Sequence, residues 1–129
     1  RLIAEADLSS NVEFLGHVET DELRELYRTC GVFVFPSTVE TFGNPLVEAM
    51  ACGAPIASSN SAAMPEVLGD AAEFFDPNDV DDMCATISGL ISDQDQRERL
   101  SAAARDRAAR YSWQETKRQT LEVIMGKTG

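Results

Sequence analysis

Glu40 and Glu48 flank the short run Phe42-Gly43-Asn44-Pro45, where a polar loop passes into a helix. Two ionised carboxylates around such a turn can each accept paired hydrogen bonds from a vicinal diol, the group that ribose and hexoses present. Gly43 lets the backbone approach a ligand closely. The helix entered at Pro45 offers free N–H groups and the positive end of its dipole, a ready place for an anion. Taken singly, each Glu reads as a solvated surface charge. Their joint placement around Phe42, Gly43 and Pro45 favours a binding site instead.

The charge distribution narrows the chemistry. The net charge is −11, and no Lys or Arg occurs between Thr29 and Gln96, although that stretch is rich in Asp and Glu. A phosphate-tracking basic groove is therefore absent, which argues against nucleic acid as a partner. An anion bound in this stretch must rely on backbone N–H groups or on charge supplied from elsewhere.

The elements that would position these residues alternate between strand and helix. Val12-Glu13-Phe14-Leu15 reads as a strand closed by Gly16. Thr20 is placed to cap a helix carrying Leu23, Leu26, Tyr27 and Cys30 on one face, which Gly31 ends. Val32 to Phe35 is a continuous apolar run, the pattern of a parallel strand covered on both faces. After the loop, Leu46 to Cys52 form a short helix stopped by Gly53. Pro55 to Ser59 and Glu73 to Phe75 read as further strands, with a short helix opened by Pro65 between them. Asn78 or Asp79 caps the next helix, an Ala- and Arg-rich helix follows over roughly 94–110, and Ser112 with Glu115 forms a capping box for a last helix to about Met125. The whole is one α/β domain over 1–129 with a parallel sheet. Ligands in such sheets bind at the carboxyl ends of strands, which is where the Glu40 loop falls.

At this point the sequence resembles a known family. Glu40-Thr41-Phe42-Gly43-Asn44-Pro45-Leu46-Val47-Glu48-Ala49-Met50-Ala51-Cys52-Gly53-Ala54-Pro55-Ile56 is similar to the signature of retaining double-Rossmann (GT-B) glycosyltransferases of glycosyltransferase family 4, the group 1 glycosyl transferases. Asn11 to Gly16, Val32 to Ser37, Pro65-Glu66-Val67, Gly69 to Ala72, Phe75-Asp76-Pro77 and Tyr111-Ser112-Trp113 match the family's other landmarks in order. The resemblance implies a Rossmann-like parallel sheet, the C-terminal half-domain of a GT-B fold lacking its first strands. It implies transfer of a hexose from a UDP-, GDP- or ADP-sugar with retention of configuration. Glu48 would hold the ribose hydroxyls and Glu40 would lie by the transferred sugar. Phe42, Gly43, Asn44, Pro45 and Leu46 would line sugar and diphosphate through backbone groups, and His17 and Val18, at a strand end, would sit near the base. The nucleotide-diphospho-sugar is a substrate, and no cofactor or metal is expected; no His or Cys spacing suggests one.

The opening Arg1 to Leu8 reads as the second half of a helix, so the chain is expected to be part of a longer protein whose N-terminal domain binds the unknown acceptor. On the family's strand order, two absent strands belong between Val12 and Val32. The gap is expected to close by re-pairing, by a strand-swapped homodimer or by a partner. Cytoplasmic location is expected from three reduced cysteines (Cys30, Cys52, Cys84) and the lack of a leader, with membrane association only through the absent domain. Alone, the chain is expected to be inactive. The alternative is a non-catalytic nucleotide-binding or interaction module derived from such an enzyme. A pyridoxal-phosphate phosphorylase of similar shape would need a Schiff-base lysine, and the lysines are Lys117 and Lys127, in the terminal helix. His17 on its own reads as a structural residue, Trp113 as a packed helix start without a role in binding, and Arg97 to Arg110 as a solvated face.

Overall fold

A computed structural model describes residues 1–126, so Lys127 lies outside the described residues. Three short parallel strands, β1 (Phe33–Phe35), β2 (Ile56–Ser59) and β3 (Glu73–Phe75), form the sheet in the order β1-β2-β3. Phe33 pairs with Ile56, and Ala57 pairs with Glu73. Alternation along each strand sends side chains to opposite faces. Phe33, Phe35, Ile56 and Phe74 join one core; Val34, Ala57 and Phe75 join a second core with Leu90 and Leu100. The continuous apolar runs in the sequence follow directly from having two covered faces.

Helices supply both covers. On the first face lie α2 (Thr20–Thr29), α3 (Asn44–Cys52), α4 (Met64–Leu68) and the inner side of α6 (Gln94–Ala108). On the second lies α5 (Val80–Ser92), reaching Leu90 toward Phe75. Asp79 caps α5 by accepting the Asp81 and Asp82 amides, and Asp93 starts α6 by accepting the Gln96 amide. Ser112 caps α7 (Trp113–Ile124) by accepting the Glu115 amide.

Several expectations are corrected. Val12 to Leu15 is not a strand: it lies outside the sheet, with Phe14 84% exposed. An extended segment becomes a strand only through a ladder partner, and none of the three strands offers it one. His17 and Val18 consequently follow no strand end. The opening helix, α1 (Leu2–Glu5), is a single exposed turn. Thr20 is the first helical residue and not the cap, because the Glu19 carbonyl already accepts the Leu23 amide.

The Arg-rich helix is more than a solvated face. Arg97 donates to the carbonyls of Leu90 and Ile91 at the end of α5, and Arg107 donates to those of Glu66 and Val67 at the end of α4. The Tyr111 hydroxyl also donates to Val67 O at 2.9 Å, and the Ser101 hydroxyl donates to Gly53 O at 2.7 Å. Helix C-termini leave carbonyls without partners, and here α6 and its exit supply the donors. No helix among the described residues is long and apolar enough to cross a membrane.

Candidate functional site

The loop from Pro36 to Gly43 leaves β1 at its carboxyl end, beside the loop that leaves β2. Ser59 joins the two. Its buried hydroxyl donates to Ser37 O at 2.6 Å and accepts the Ser61 amide at 3.3 Å. The Ser37 hydroxyl in turn lies 3.2 Å from Oε1 of Glu40 and 3.2 Å from Val39 O. Glu40 is thus half-buried and held on the strand side of the loop.

Gly43 turns the chain into α3 with φ 79, a left-handed conformation that glycine adopts without strain. It is buried, and a Cβ there would come 2.9 Å from Leu46 Cδ1. Pro45 has no N–H, and the Leu46 N–H is bonded to Gly43 O at 2.9 Å. Among the described residues, the amides of Phe42, Gly43 and Asn44 have no hydrogen-bond acceptor. Leu46 is fully buried in the core, and Pro45 is exposed.

Glu48 lies one turn into α3 with its side chain exposed. Its carboxylate is close enough to the buried Tyr27 of α2 to add to the main effect, burial, in pushing that phenol's pKa up. Burial likewise raises the Cys30 thiol. Asn44, Val47 and Glu48 form one wall of a cavity of about 620 Å³, which Phe42 and the start of α7 complete. Phe42 meets Tyr111 edge to face, with ring centroids 5.5 Å apart. Arg110, Tyr111 and Trp113 form the opposite wall.

The structure brings Phe42, Asn44 and Glu48 together on this cavity, with Glu40 outside its lining. It does not bring His17 there: that side chain is 89% exposed and lies 3.8 Å from Glu19. Val18 beside it is half-buried, away from the cavity. Trp113 is a correction, being 87% exposed on the cavity wall and not packed at a helix start. Arg110 brings a cation to a site whose own stretch has none, with no carboxylate within ion-pair distance among the described residues. The sequence signal for these residues was the aromatic pair around the cap, Tyr111-Ser112-Trp113.

Also on the cavity, Glu115 is drawn down to a pKa of about 2, chiefly by its hydrogen bonds from Arg118 and then Gln119. Among the described residues, no three His, Cys, Asp or Glu side chains come together as a metal-ligand group.

Against this geometry, the profile of the family described as "Glycosyl transferases group 1" matches residues 1–107. O-antigen chain mannosyltransferase B of Escherichia coli is 41% identical over 112 residues, which is 87% of this chain and 29% of that protein. Sucrose-phosphate synthase from Thermosynechococcus elongatus superposes with a TM-score of 0.87 at 24% identity, covering 98% of this chain and 33% of that one. Anabaena Alr3699/HepE, solved in complex with UDP, gives a TM-score of 0.84 at 23% identity over 98% of this chain and 35% of its own. The chain spans about a third or less of the length of each.

Proposed function

We propose, from the premise that this chain belongs to the glycosyl transferases group 1 family, that it provides the donor-binding surface for transfer of a hexose from a nucleotide-diphospho-sugar with retention of configuration. The observation that carries the reading is the turn at Gly43. Three amides without a partner among the described residues stand at the start of α3, and Glu48 follows one turn into that helix. The diphosphate takes the amides of Phe42, Gly43 and Asn44, and Glu48 accepts from the ribose hydroxyls.

Glu40 then lies beside the transferred sugar. As the bond to the diphosphate breaks, charge grows on the leaving oxygen. Amides already pointed at it stabilise that charge without reorganising. Acceptor attack on the same face gives retention. The UDP complex of the Anabaena relative supports a nucleoside diphosphate as ligand, and the mannosyltransferase relative supports a hexosyl donor. Transfer itself uses groups beyond these 129 residues, so the chain alone binds the nucleotide without turning it over.

NMR titration with UDP, GDP and ADP tests the reading. One nucleotide should shift the amides of Phe42 to Asn44. Glu48→Ala should weaken it about 10–100-fold, as expected for hydrogen bonds to a charged acceptor. Equal affinity in wild type and Glu48→Ala would refute the ribose assignment, and turnover by the chain alone would refute its dependence on further groups.

A further inference from the structure

We infer that Ser37 is the positioning residue for Glu40: its hydroxyl ties one carboxylate oxygen to the end of β1 and leaves the other to the transferred sugar. The inference deepens the donor reading above and rests on it. Glu40 stands on the loop between β1 and α3, where no helix or strand fixes its side chain. A glutamate free to rotate loses that freedom when it grips a ligand, and one held beforehand loses less. Its Oε1 lies 3.2 Å from the Ser37 hydroxyl, and among the described residues nothing else is bonded to either carboxylate oxygen. The carboxylate is therefore held at one oxygen and open at the other.

The Ser37 hydroxyl has one proton and two acceptors in reach, Val39 O and Glu40 Oε1, each at 3.2 Å. Charge decides between them, because an ionised carboxylate is the stronger acceptor. Val39 is 79% exposed, in a loop where water can satisfy its carbonyl instead. The serine is itself anchored. Ser59, wholly buried at the end of β2, donates to Ser37 O at 2.6 Å. The tether thus runs from the sheet through Ser37 to Glu40, and no part of it belongs to the Gly43 turn. Its loss should leave the amides of Phe42 to Asn44 and the diphosphate on them undisturbed, and should change only the hold on the sugar. A serine that simply closed a turn on Val39 would have no such selective effect.

The test uses the whole chain of 129 residues and three pairs of probes: UDP and UDP-glucose, GDP and GDP-mannose, ADP and ADP-glucose. Carbon-13 NMR of the glutamate carboxyls, with Glu40→Gln to assign the signal, reads the tether before any ligand is added. Ser37→Ala should move the Glu40 carboxyl signal. For the nucleotide that binds, Ser37→Ala should weaken the nucleotide-sugar about two- to tenfold, the range of one hydrogen bond, and leave the nucleoside diphosphate unchanged. Ser37→Thr, which keeps the hydroxyl, should restore both the signal and the affinity.

Three results overturn the inference: an unchanged Glu40 carboxyl signal in Ser37→Ala; full nucleotide-sugar affinity in that variant; or equal losses for nucleotide-sugar and nucleoside diphosphate, as a purely structural serine would give. Failure of the donor reading registers separately, as absent amide shifts at Phe42 to Asn44 with every probe. A moved carboxyl signal beside that silence would overturn the assignment to the sugar and keep the tether between Ser37 and Glu40.

Discussion

Replacing Ser59 by alanine removes one buried hydroxyl and with it the link between the two loops at the mouth of the sheet. Ser59 Oγ donates to Ser37 O at 2.6 Å and accepts the Ser61 amide at 3.3 Å. Alanine leaves both groups without a partner in a part-buried place. A buried polar group left unsatisfied costs about 1–3 kcal/mol. The Ser37 bond is short and belongs near the top of that range; the Ser61 bond is long and adds less. The expected loss is about 2–3 kcal/mol, or about 6–12 °C in Tm for a domain of this size. The missing oxygen leaves only a small void, so loss of packing is minor beside loss of the bonds.

Urea unfolding with an unchanged m-value measures this loss, because the substitution should not alter the surface exposed on unfolding. Hydrogen exchange separates the local effect from the global one. The Ser61 amide, which donates to Ser59 Oγ, should exchange faster by more than the global loss explains. A loss below about 0.5 kcal/mol, within the range of ordinary surface changes, would refute the reasoning. Unchanged exchange at Ser61 would do the same: Ser59 would then not be what ties the two loops together.

Gly43→Ala must hold an alanine at φ 79 with its Cβ 2.9 Å from Leu46 Cδ1. Left-handed backbone costs about 1–2 kcal/mol. The mutant should lose at least that in urea unfolding, together with the nucleotide-induced shifts at Phe42 to Asn44. Arg107→Met keeps the stem but removes two donations to the end of α4, leaving only Tyr111 on Val67 O. A loss of about 1.5–3 kcal/mol is expected for charged donors, read from the same urea curves. Glu115 has a folded-state pKa of about 2 against an ordinary value of 4.5, so its contribution is fully present above pH 4.5 and disappears as pH falls toward 2. Glu115→Gln should flatten stability against pH in that window and leave neutral-pH stability nearly unchanged, since the group is exposed. Acid titration followed by circular dichroism checks it.

What the sequence made legible was local or periodic. The apolar run from Val32, the left-handed glycines at 43 and 53, and the caps Asp79 and Ser112 each state their conformation within a few residues. Val12 to Leu15 has the same local look as a strand, but a strand exists only by pairing, and the sequence pattern says nothing of whether a neighbour is present. Arg107 illustrates the converse. Helical spacing makes it look solvated, while its partners, the carbonyls of Glu66 and Val67, stand far away in sequence at another helix's end. Trp113 reads as a packed helix start for the same reason, and only the third dimension shows it exposed beside the cavity that Phe42 and Glu48 also line. In the candidate site, the turn at Gly43 with Glu48 was legible, and the wall from α7 was not.

The two walls answer the question raised by the missing cations. From Cys30 to Asp95 the chain carries no basic side chain, so the Gly43 turn can hold an anion only through oriented amides. Those amides are fixed by Gly43, by a proline without N–H and by the Leu46 bond back to Gly43 O. Such dipoles act at short range and favour a phosphate seated on the turn over one passing nearby. Arg110 then arrives from outside the acidic stretch, on the wall opposite Glu48, with no carboxylate within ion-pair distance among the described residues. On the donor reading proposed above, the phosphates then need no side-chain cation from the turn itself. Arg110→Glu puts that to the test. Reversing this charge should weaken nucleotide binding by less than Glu48→Ala does in the same titration. The opposite order would show that Arg110, and not the amides alone, serves the diphosphate.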